Sequence, residues 1–115
     1  MTDKSVVAQP LSTQVFQILL SLVDQDLHGY AIIQDVAERT DDEVRLTAST
    51  LYAAVKRLLD QGLIDEVRSR SRDDDPRRRY YRLTPFGLDV ARAEMRRLSQ
   101  LVRLARARGL KPETA

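Results

Sequence analysis

The sequence predicts a mainly α fold that contains one small β-hairpin and ends in a long C-terminal helix. Three observations lead to this prediction. Apolar residues recur at helical spacing in three successive segments of residues 12–62. The pattern then changes to two strand-like stretches around a turn-forming loop, and a longer helical pattern follows. Three helices, a hairpin and a further helix are the element order of a winged helix-turn-helix with an extension.

The first two helices are predicted from apolar residues at intervals of three or four positions. Ser12 or Thr13 can cap the first helix, which runs to about Val23. The segment DQDLHGY breaks this pattern, and the second helix runs from Tyr30 to about Arg39. The apolar positions are Val15, Ile18, Leu19 and Leu22 in the first helix, and Tyr30, Ile33, Val36 and Ala37 in the second.

The third helix lies in LTASTLYAAVKRLLDQGLI, residues 46–64, where Thr47 can cap the helix and Gly62 can end it. One face is apolar and is predicted to be buried. The other face has small residues at its start and basic residues in its middle. The apolar face consists of Leu51, Val55, Leu58 and Leu59, and the outer face of Ser49, Ala53, Lys56, Arg57 and Asp60, with Thr50 and Tyr52 on its flanks.

Residues 63–69 and 79–83 are the two predicted strands, because both are short and contain Ile, Val or Tyr. The loop RSRDDDPRR between them is rich in turn-forming residues. A basic β-ribbon can follow a phosphate backbone or enter a minor groove, although these charges can also be a solvated turn in which the aspartates neutralise the arginines. The arginines are Arg68, Arg70, Arg72, Arg77, Arg78, Arg79 and Arg82, and the aspartates are Asp73, Asp74 and Asp75.

The last helix starts at Thr84 and Pro85 and runs to about Arg108, before Gly109 and Pro112. Its apolar residues follow a heptad pattern, which can pack on the same chain or on a second copy. We favour a homodimer, to which the first helix contributes Val15, Phe16, Leu19 or Leu20. The stripe consists of Leu88, Ala91, Met95, Leu98, Val102 and Ala105.

Charge is distributed unevenly along the chain. Residues 1–47 contain 3 basic and 8 acidic side chains, whereas residues 48–115 contain 16 basic and 9 acidic ones. Such asymmetry is typical of a protein that turns one surface toward a polyanion, although a basic surface without a partner remains the alternative.

In a winged helix-turn-helix, the third helix reads DNA. Its first turn offers free N–H groups and hydroxyls, and its small residues permit close approach to the groove. An ordinary amphipathic surface helix would show the same spacing. The predicted DNA-binding residues are Thr47, Ser49, Thr50, Tyr52, Lys56 and Arg57 of the third helix, and Arg77, Arg78 and Arg79 of the predicted hairpin, which is the wing of this fold.

Several classes of function are not supported by the sequence. The chain has no cysteine and one histidine, His28, so neither a zinc site nor a cysteine nucleophile is predicted. No catalytic spacing or Gly-rich phosphate loop is present, and we expect no cofactor, no metal and no enzymatic activity. No signal peptide or membrane span is predicted, which fits a cytoplasmic protein. His28 beside Gly29 is interpreted as structural.

Three segments resemble the PadR-like transcriptional regulators: LHGYAII at residues 27–33, LTASTLYAAVKRLLDQGLI at 46–64, and RRRYYRLTPFG at 77–87. The resemblance covers about residues 12–90, and the short extension resembles the compact subgroup with one C-terminal helix. Ser49 stands where the family commonly has glycine, and Ala53 where it commonly has proline. Both positions lie on the presumed reading face, so the preferred DNA sequence is expected to differ from that of familiar members.

The resemblance implies a dimeric repressor that binds a promoter operator. In many members a small aromatic or hydrophobic effector releases the repressor. A two-fold dimer would select a palindromic operator. It places Ser49, Thr50 and Tyr52 near DNA, and residues 77–79 on the basic side of the wing. We therefore predict a sequence-specific DNA-binding regulator. The alternative is a winged-helix module that docks an acidic protein. The predicted organisation is a leader at 1–11, the DNA-binding domain at 12–84, the dimerisation helix at 85–108 and a tail at 109–115.

Overall fold

The computed structural model describes residues 10–68 and 78–113, and these ranges form four helices and three short strands. The fold is mainly α with a small sheet, as predicted. Most of the leader, the loop at residues 69–77, which includes Arg77, and the last two residues lie outside the described ranges. The helices are α1 at Thr13–Ser21, α2 at Gly29–Arg39, α3 at Ala48–Asp60 and α4 at Pro85–Ala107, and the strands are β1 at Leu27–His28, β2 at Ile64–Val67 and β3 at Tyr80–Leu83.

The predicted hairpin is extended to a sheet of three antiparallel strands in the order β1-β3-β2. In this sheet Leu27 pairs with Tyr81 and His28 with Tyr80. We did not predict β1, because a strand of two residues is too short to show the alternating pattern that identifies strands. Its pairing places the start of α2 directly beside the wing.

Each helix begins at a side chain that accepts a hydrogen bond from the backbone N–H three residues further on. Ser12 caps α1 and Thr47 caps α3, as predicted. Thr84 caps α4 by accepting from the Gly87 N–H at 2.9 Å. In α2 the capping atom is Nδ1 of His28, which accepts from the Ala31 N–H at 3.1 Å. No sequence pattern predicts a specific contact for this histidine, so its capping role emerges only from the structure.

The turn between α2 and α3 has two consecutive residues in the left-handed region, Asp41 at φ 49° and Asp42 at φ 64°. Aspartate tolerates this conformation better than most residues. Thr40 fixes the turn, because its hydroxyl donates to the Val36 carbonyl at 2.8 Å and accepts from the Val44 N–H at 3.1 Å. The turn thereby sets the direction in which α3 leaves α2.

The hydrophobic core lies between α1, α2 and α3, and the first half of α4 closes it. Two residues predicted for the dimer interface belong to this core: Leu19 is fully buried and Ala91 is 6% exposed. This corrects the sequence-based prediction, because a second chain cannot reach side chains already covered by the first. The fully buried apolar side chains are Ile18, Leu19, Ile32, Val36, Leu51, Leu58, Leu63 and Ile64.

The N-terminus of α4 is joined to the turn that follows α3. The Thr84 hydroxyl donates to the Gly62 carbonyl at 2.7 Å, and the Thr84 N–H donates to the Leu63 carbonyl at 3.1 Å. Gly87 lies against the same carbonyl, since a Cβ added there would stand 2.0 Å from the Leu63 oxygen. The helix therefore approaches this backbone as closely as only glycine permits.

Glu94 of α4 is the only charged side chain that is fully buried in the part of the chain described. Both of its carboxylate oxygens accept from Arg97, at 2.9 and 2.6 Å. These bonds, with a further one from the Leu11 backbone N–H, lower the pKa of Glu94 below its ordinary value despite the opposing effect of burial. A carboxyl group whose pKa falls on folding stabilises the protein when it is ionised.

Replacing Glu94 with glutamine should lower the free energy of unfolding at pH 7 by about 2 kcal/mol, because hydrogen bonds to a charged group are lost. The wild-type contribution is present above the unfolded pKa, ordinarily 4.5, and is lost as the pH falls through the lower folded value. Urea unfolding of both proteins between pH 7 and pH 3 checks this. We expect the difference to shrink as the pH falls, and a difference independent of pH would contradict the assignment.

Candidate nucleic-acid interface

The two faces of α3 are separated as the sequence predicts. Leu51, Val55 and Leu58 are buried against the rest of the domain, and Leu59 is partly buried. The opposite face is open to solvent along the full length of the helix. The exposed side chains are Ser49, Tyr52, Ala53, Lys56, Arg57 and Asp60.

Hydroxyl groups surround the N-terminus of α3. The Thr47 Oγ1 accepts from the Thr50 N–H at 3.0 Å and lies 2.9 Å from the Thr50 Oγ1. The Thr47 hydroxyl is therefore held by Thr50, whereas Ser49 lies exposed on the first turn of the helix. Positive helix dipole and outward N–H groups make this end of α3 attractive to an anion.

Tyr52 leans toward the start of α2. A Cβ added to Gly29 would stand 2.5 Å from the Tyr52 hydroxyl oxygen and 2.8 Å from its Cζ, so the ring packs directly over this glycine. The side chain is nevertheless 52% exposed. Tyr52 thus packs on the start of α2 with one side of its ring and faces solvent with the other.

The wing arginines have different surroundings. Arg78 Nη1 lies 3.4 Å from His28 Nε2, whereas Arg79 forms an ion pair with Glu66 at 3.2 Å. Arg82 pairs with Asp26 at 2.8 Å, and this carboxylate raises the pKa of the guanidinium. Arg82 is therefore tied to the loop before β1, and of Arg78, Arg79 and Arg82 it is Arg78 that lies beside the start of α2.

A cleft of 540 Å³ lies between the start of α2, α3 and the wing. It brings together Tyr52 with Arg78 and Arg79, three residues that the sequence assigned to DNA binding. Lys56 and Arg57 do not line it and lie further along α3. The remaining lining residues are His28, Gly29, Tyr30 and Tyr81.

Two residues of this cleft were not recognised from the sequence. Tyr30 was counted among the apolar positions of the second helix, yet it is 61% exposed. His28 was interpreted as structural without a contact being named. The segment HGY at the start of a helix could have indicated that Tyr30 is exposed. A tyrosine has an apolar ring and a polar hydroxyl, so it suits a surface position as well as the core.

Tyr81 forms the floor of the cleft. Only 3% of it is exposed, and burial raises its pKa, with smaller contributions from Tyr52 and Glu66. The phenol therefore stays protonated at neutral pH and is a hydrogen-bonding group without charge.

The second half of α4 exposes five large apolar side chains, which we call the exposed α4 face: Met95, Leu98, Leu101, Val102 and Leu104. It continues the helix face that packs on the core through Val90 and Ala91. Leu101 and Leu104 were absent from the predicted heptad stripe. Phe16 of α1 borders this surface beside Met95, Leu98 and Val102. Of the other residues predicted for the interface, Val15, Leu88 and Ala105 are partly buried.

Among residues 10–68 and 78–113, no three His, Cys, Asp or Glu side chains are grouped as a metal site requires. None of the described helices combines the length and the hydropathy needed to span a bilayer.

Comparison with known proteins identifies a family and a fold. The profile of the transcriptional regulator PadR-like family matches residues 18–93. A PadR family transcription regulator from Clostridium difficile R20291 superposes with a TM-score of 0.73 at 28% identity, covering 84% of this chain and 97% of that structure. Bacillus subtilis PadR, solved in complex with operator DNA, superposes with a TM-score of 0.64 at 23% identity, covering 75% of this chain and 48% of the other.

A relative known from sequence, an uncharacterized protein of Lysinibacillus sphaericus, is 34% identical over 70 residues. The match covers 61% of this chain and spans 63% of the relative's length. The likeness to B. subtilis PadR shows the fold alone. The family profile shows the family, and the residues that it matches include all of α2, α3 and the three strands.

Proposed function

This chain belongs to the PadR-like family of transcriptional regulators, and from that membership we propose that it is a homodimeric repressor that binds a palindromic operator. The observation that carries the proposal is the exposed face of α3, with small and polar residues, beside the cleft that contains Arg78 and Arg79. B. subtilis PadR has been solved with operator DNA. An equivalent complex here would place α3 in the major groove.

The proposed division of labour separates anchoring from reading. The N-terminus of α3 and the wing arginines, including Arg77, would bind phosphates, which adds affinity for every DNA sequence. Ser49, Tyr52 and Lys56 would face base edges, with contributions from Thr50 and Arg57. Thr47 contributes chiefly through the cap, because its hydroxyl is already bonded to Thr50.

Dimerisation would use the exposed α4 face. Five large apolar side chains exposed on half of one helix are unfavourable to leave in water, and the same helix of a second copy is complementary to them. A two-fold axis through this contact would present two α3 helices to successive turns of the duplex. Phe16 would complete the contact from α1.

We further propose that a small aromatic or hydrophobic effector releases the repressor from DNA, as in many members of the family. The protein would act in the cytoplasm, where its operator lies, and would carry out no catalytic step. The domain organisation inferred from the sequence remains part of this proposal, although the first half of α4 shares the core of the DNA-binding domain.

Selection from a random duplex library with the purified protein tests the proposal. Enrichment of a palindrome, with two protomers bound per duplex, is expected. Addition of the protein to a transcription reaction from a promoter carrying the selected site should then reduce transcript. Failure to enrich any sequence would contradict sequence-specific binding.

Docking of an acidic protein is less well supported, since the described exposed face of α3 has no large aliphatic side chain.

Ser49→Ala should change the order of preference among operator variants while leaving binding to random DNA nearly unchanged. Ser49 lies on the exposed first turn of α3, and removal of its hydroxyl eliminates a hydrogen-bonding group without removing charge. We expect a loss of about fivefold on the selected duplex, within the range of one hydrogen bond. Fluorescence anisotropy on selected and scrambled duplexes measures both, and equal losses would exclude a role in reading bases.

A further inference from the structure

Arg39 is the last residue of α2, and each of its three guanidinium nitrogens donates a hydrogen bond. Nη1 donates to the Gln17 side-chain oxygen at 2.7 Å, and Nη2 donates both to the Gln17 carbonyl at 3.0 Å and to the Ser21 hydroxyl at 2.7 Å. Nε donates to Asp35 of the same helix at 2.9 Å. Three bonds therefore cross to α1, and the fourth holds the guanidinium against α2. We call these four residues the Arg39 cluster.

Ser21 makes the Arg39 cluster more specific than a surface ion pair. Its side chain is polar but only 1% exposed, and its hydroxyl donates to the Gln17 carbonyl at 3.3 Å while it accepts from Arg39. A planar guanidinium has several donors in fixed directions and can reach these acceptors together, whereas the ammonium of a lysine is a single nitrogen. Arginine at position 39 therefore holds α1 against α2 in one orientation.

The Arg39 cluster lies between the two surfaces that the proposed function uses. α4 packs on α1, α1 packs on α2, and α2 packs on α3. Phe16, the residue before Gln17, borders the exposed α4 face. The contact between α1 and α2 is thus on the path that sets the position of α3, which reads DNA in the proposed function, relative to α4, which forms the dimer. A second connection runs through Thr84 at the turn after α3.

The apolar contacts between α1 and α2 stabilise the pair but are less sensitive to its angle. Ile18 of α1 and Val36 of α2 are fully buried in the same core, and the hydrophobic effect depends on the area removed from water and has no direction. Hydrogen bonds weaken when their angles change. The Arg39 side chain is 34% exposed, so its ion pair with Asp35 adds little stability. The main effect of the Arg39 cluster is therefore on the angle between the two helices.

We infer that Arg39 is a positioning residue that fixes the separation of the two α3 helices in the dimer and thereby the half-site spacing that the protein selects. The inference rests on the proposed function, because it requires a dimer on a palindrome. Neighbouring base pairs are about 3.4 Å apart along the duplex axis, so a shift of that size between the two helices corresponds to one base pair of spacing. Both half-sites are bound together only if the dimer matches their spacing.

Palindromes whose spacer is shortened or lengthened by single base pairs, together with a single half-site, test this role by fluorescence anisotropy. The wild type should bind the best spacer about tenfold more tightly than spacers that differ by one base pair. Arg39→Lys keeps the charge but loses the set of bonds to α1. It should bind the single half-site like the wild type and the best palindrome about tenfold more weakly, with at most about twofold preference among spacers, because the rigid fit is lost.

Gln17 offers a matched pair of variants that leaves Arg39 in place. Gln17→Glu keeps an oxygen that accepts from Arg39 Nη1 and should retain the spacing preference. Gln17→Met replaces it with an apolar side chain of similar length and should reduce the preference to about threefold. Arg92→Lys makes the control substitution at an exposed position of α4 and should change neither affinity nor preference. Thermal melting and sedimentation velocity should show that all four variants are folded and dimeric.

The outcomes distinguish failure of this inference from failure of the proposed function. A spacing preference in Arg39→Lys equal to that of the wild type would overturn the inference, as would equal losses on the single half-site and the palindrome. Equal effects of Gln17→Glu and Gln17→Met would show that the hydrogen bond does not set the angle. A wild type that binds half-sites without any spacing preference would remove the role of Arg39 and leave DNA binding intact. A wild type that is monomeric or binds none of the duplexes would overturn the proposed function, and the inference with it.

Discussion

Gly87→Ala is expected to lower the free energy of unfolding by about 3 kcal/mol, at the upper end of the range for overpacked sites. The added Cβ would stand 2.0 Å from the Leu63 carbonyl oxygen and 2.9 Å from its carbon. Both are backbone atoms, so no side-chain rotation relieves the collision, and α4 must move away from the turn after α3. The Thr84 bonds to Gly62 and Leu63 would be strained by the same movement.

The direction of this effect is informative, because helix propensity alone favours alanine over glycine. Thermal melting should show a decrease of roughly 10 to 20 °C for a domain of this size. Gly62→Ala is a useful control, since Gly62 has φ +76° and no atom within 4 Å of an added Cβ. It should cost about 1 kcal/mol through conformation alone. A melting temperature for Gly87→Ala equal to that of the wild type would show that α4 does not dock on Leu63.

Leu101→Glu is expected to separate the proposed dimer. Leu101 lies in the middle of the exposed α4 face and is 50% exposed in the single chain. Loss of an apolar contact in each protomer costs about 2 kcal/mol. In a two-fold interface the substitution occurs twice, so the dimer dissociation constant should rise roughly 1000-fold. Sedimentation velocity across a range of protein concentrations measures this change.

The neighbouring substitution Gln100→Glu is the matched control, because it adds the same carboxylate one position away, to an exposed side chain outside the exposed α4 face. It should leave the dimer intact. Leu101→Glu should also weaken binding to a palindromic duplex more than to a single half-site, since only the dimer engages both halves. A protein that is dimeric in both variants would place the interface elsewhere, and a monomeric wild type would contradict the dimer itself.

Local patterns in the sequence were sufficient for the helices and for the caps of α1 and α3. Thr47 was identified as the cap of α3 because a hydroxyl before a helical apolar pattern has few other local roles, and the structure confirms the bond to the Thr50 N–H. The buried and exposed faces of α3 also follow directly from a period of 3.6 residues. The outer face predicted for this helix is therefore the one that the structure exposes.

The site at the wing depended on contacts that no local pattern contains. His28 and Arg78 are separated by 50 positions and meet only because β1 pairs with β3. The same pairing changes the predicted hairpin into a three-stranded sheet. Tyr30 follows the apolar spacing of α2 but faces solvent, because the rotation of α2 about its axis is set by its packing on α1 and α3.

The sequence by itself determined the class of fold, the order of the helices, the caps at Ser12 and Thr47 and the exposed face of α3, because each depends on residues within a few positions of one another. Only the tertiary structure decided which half of α4 closes the core and which half stays exposed. It placed Ala91 of α4 in the core and Leu101 on the exposed α4 face, and it also buried Leu19 of α1. A heptad pattern is continuous along the helix, whereas the core that it packs against ends partway along, and the position of that end depends on contacts between distant segments.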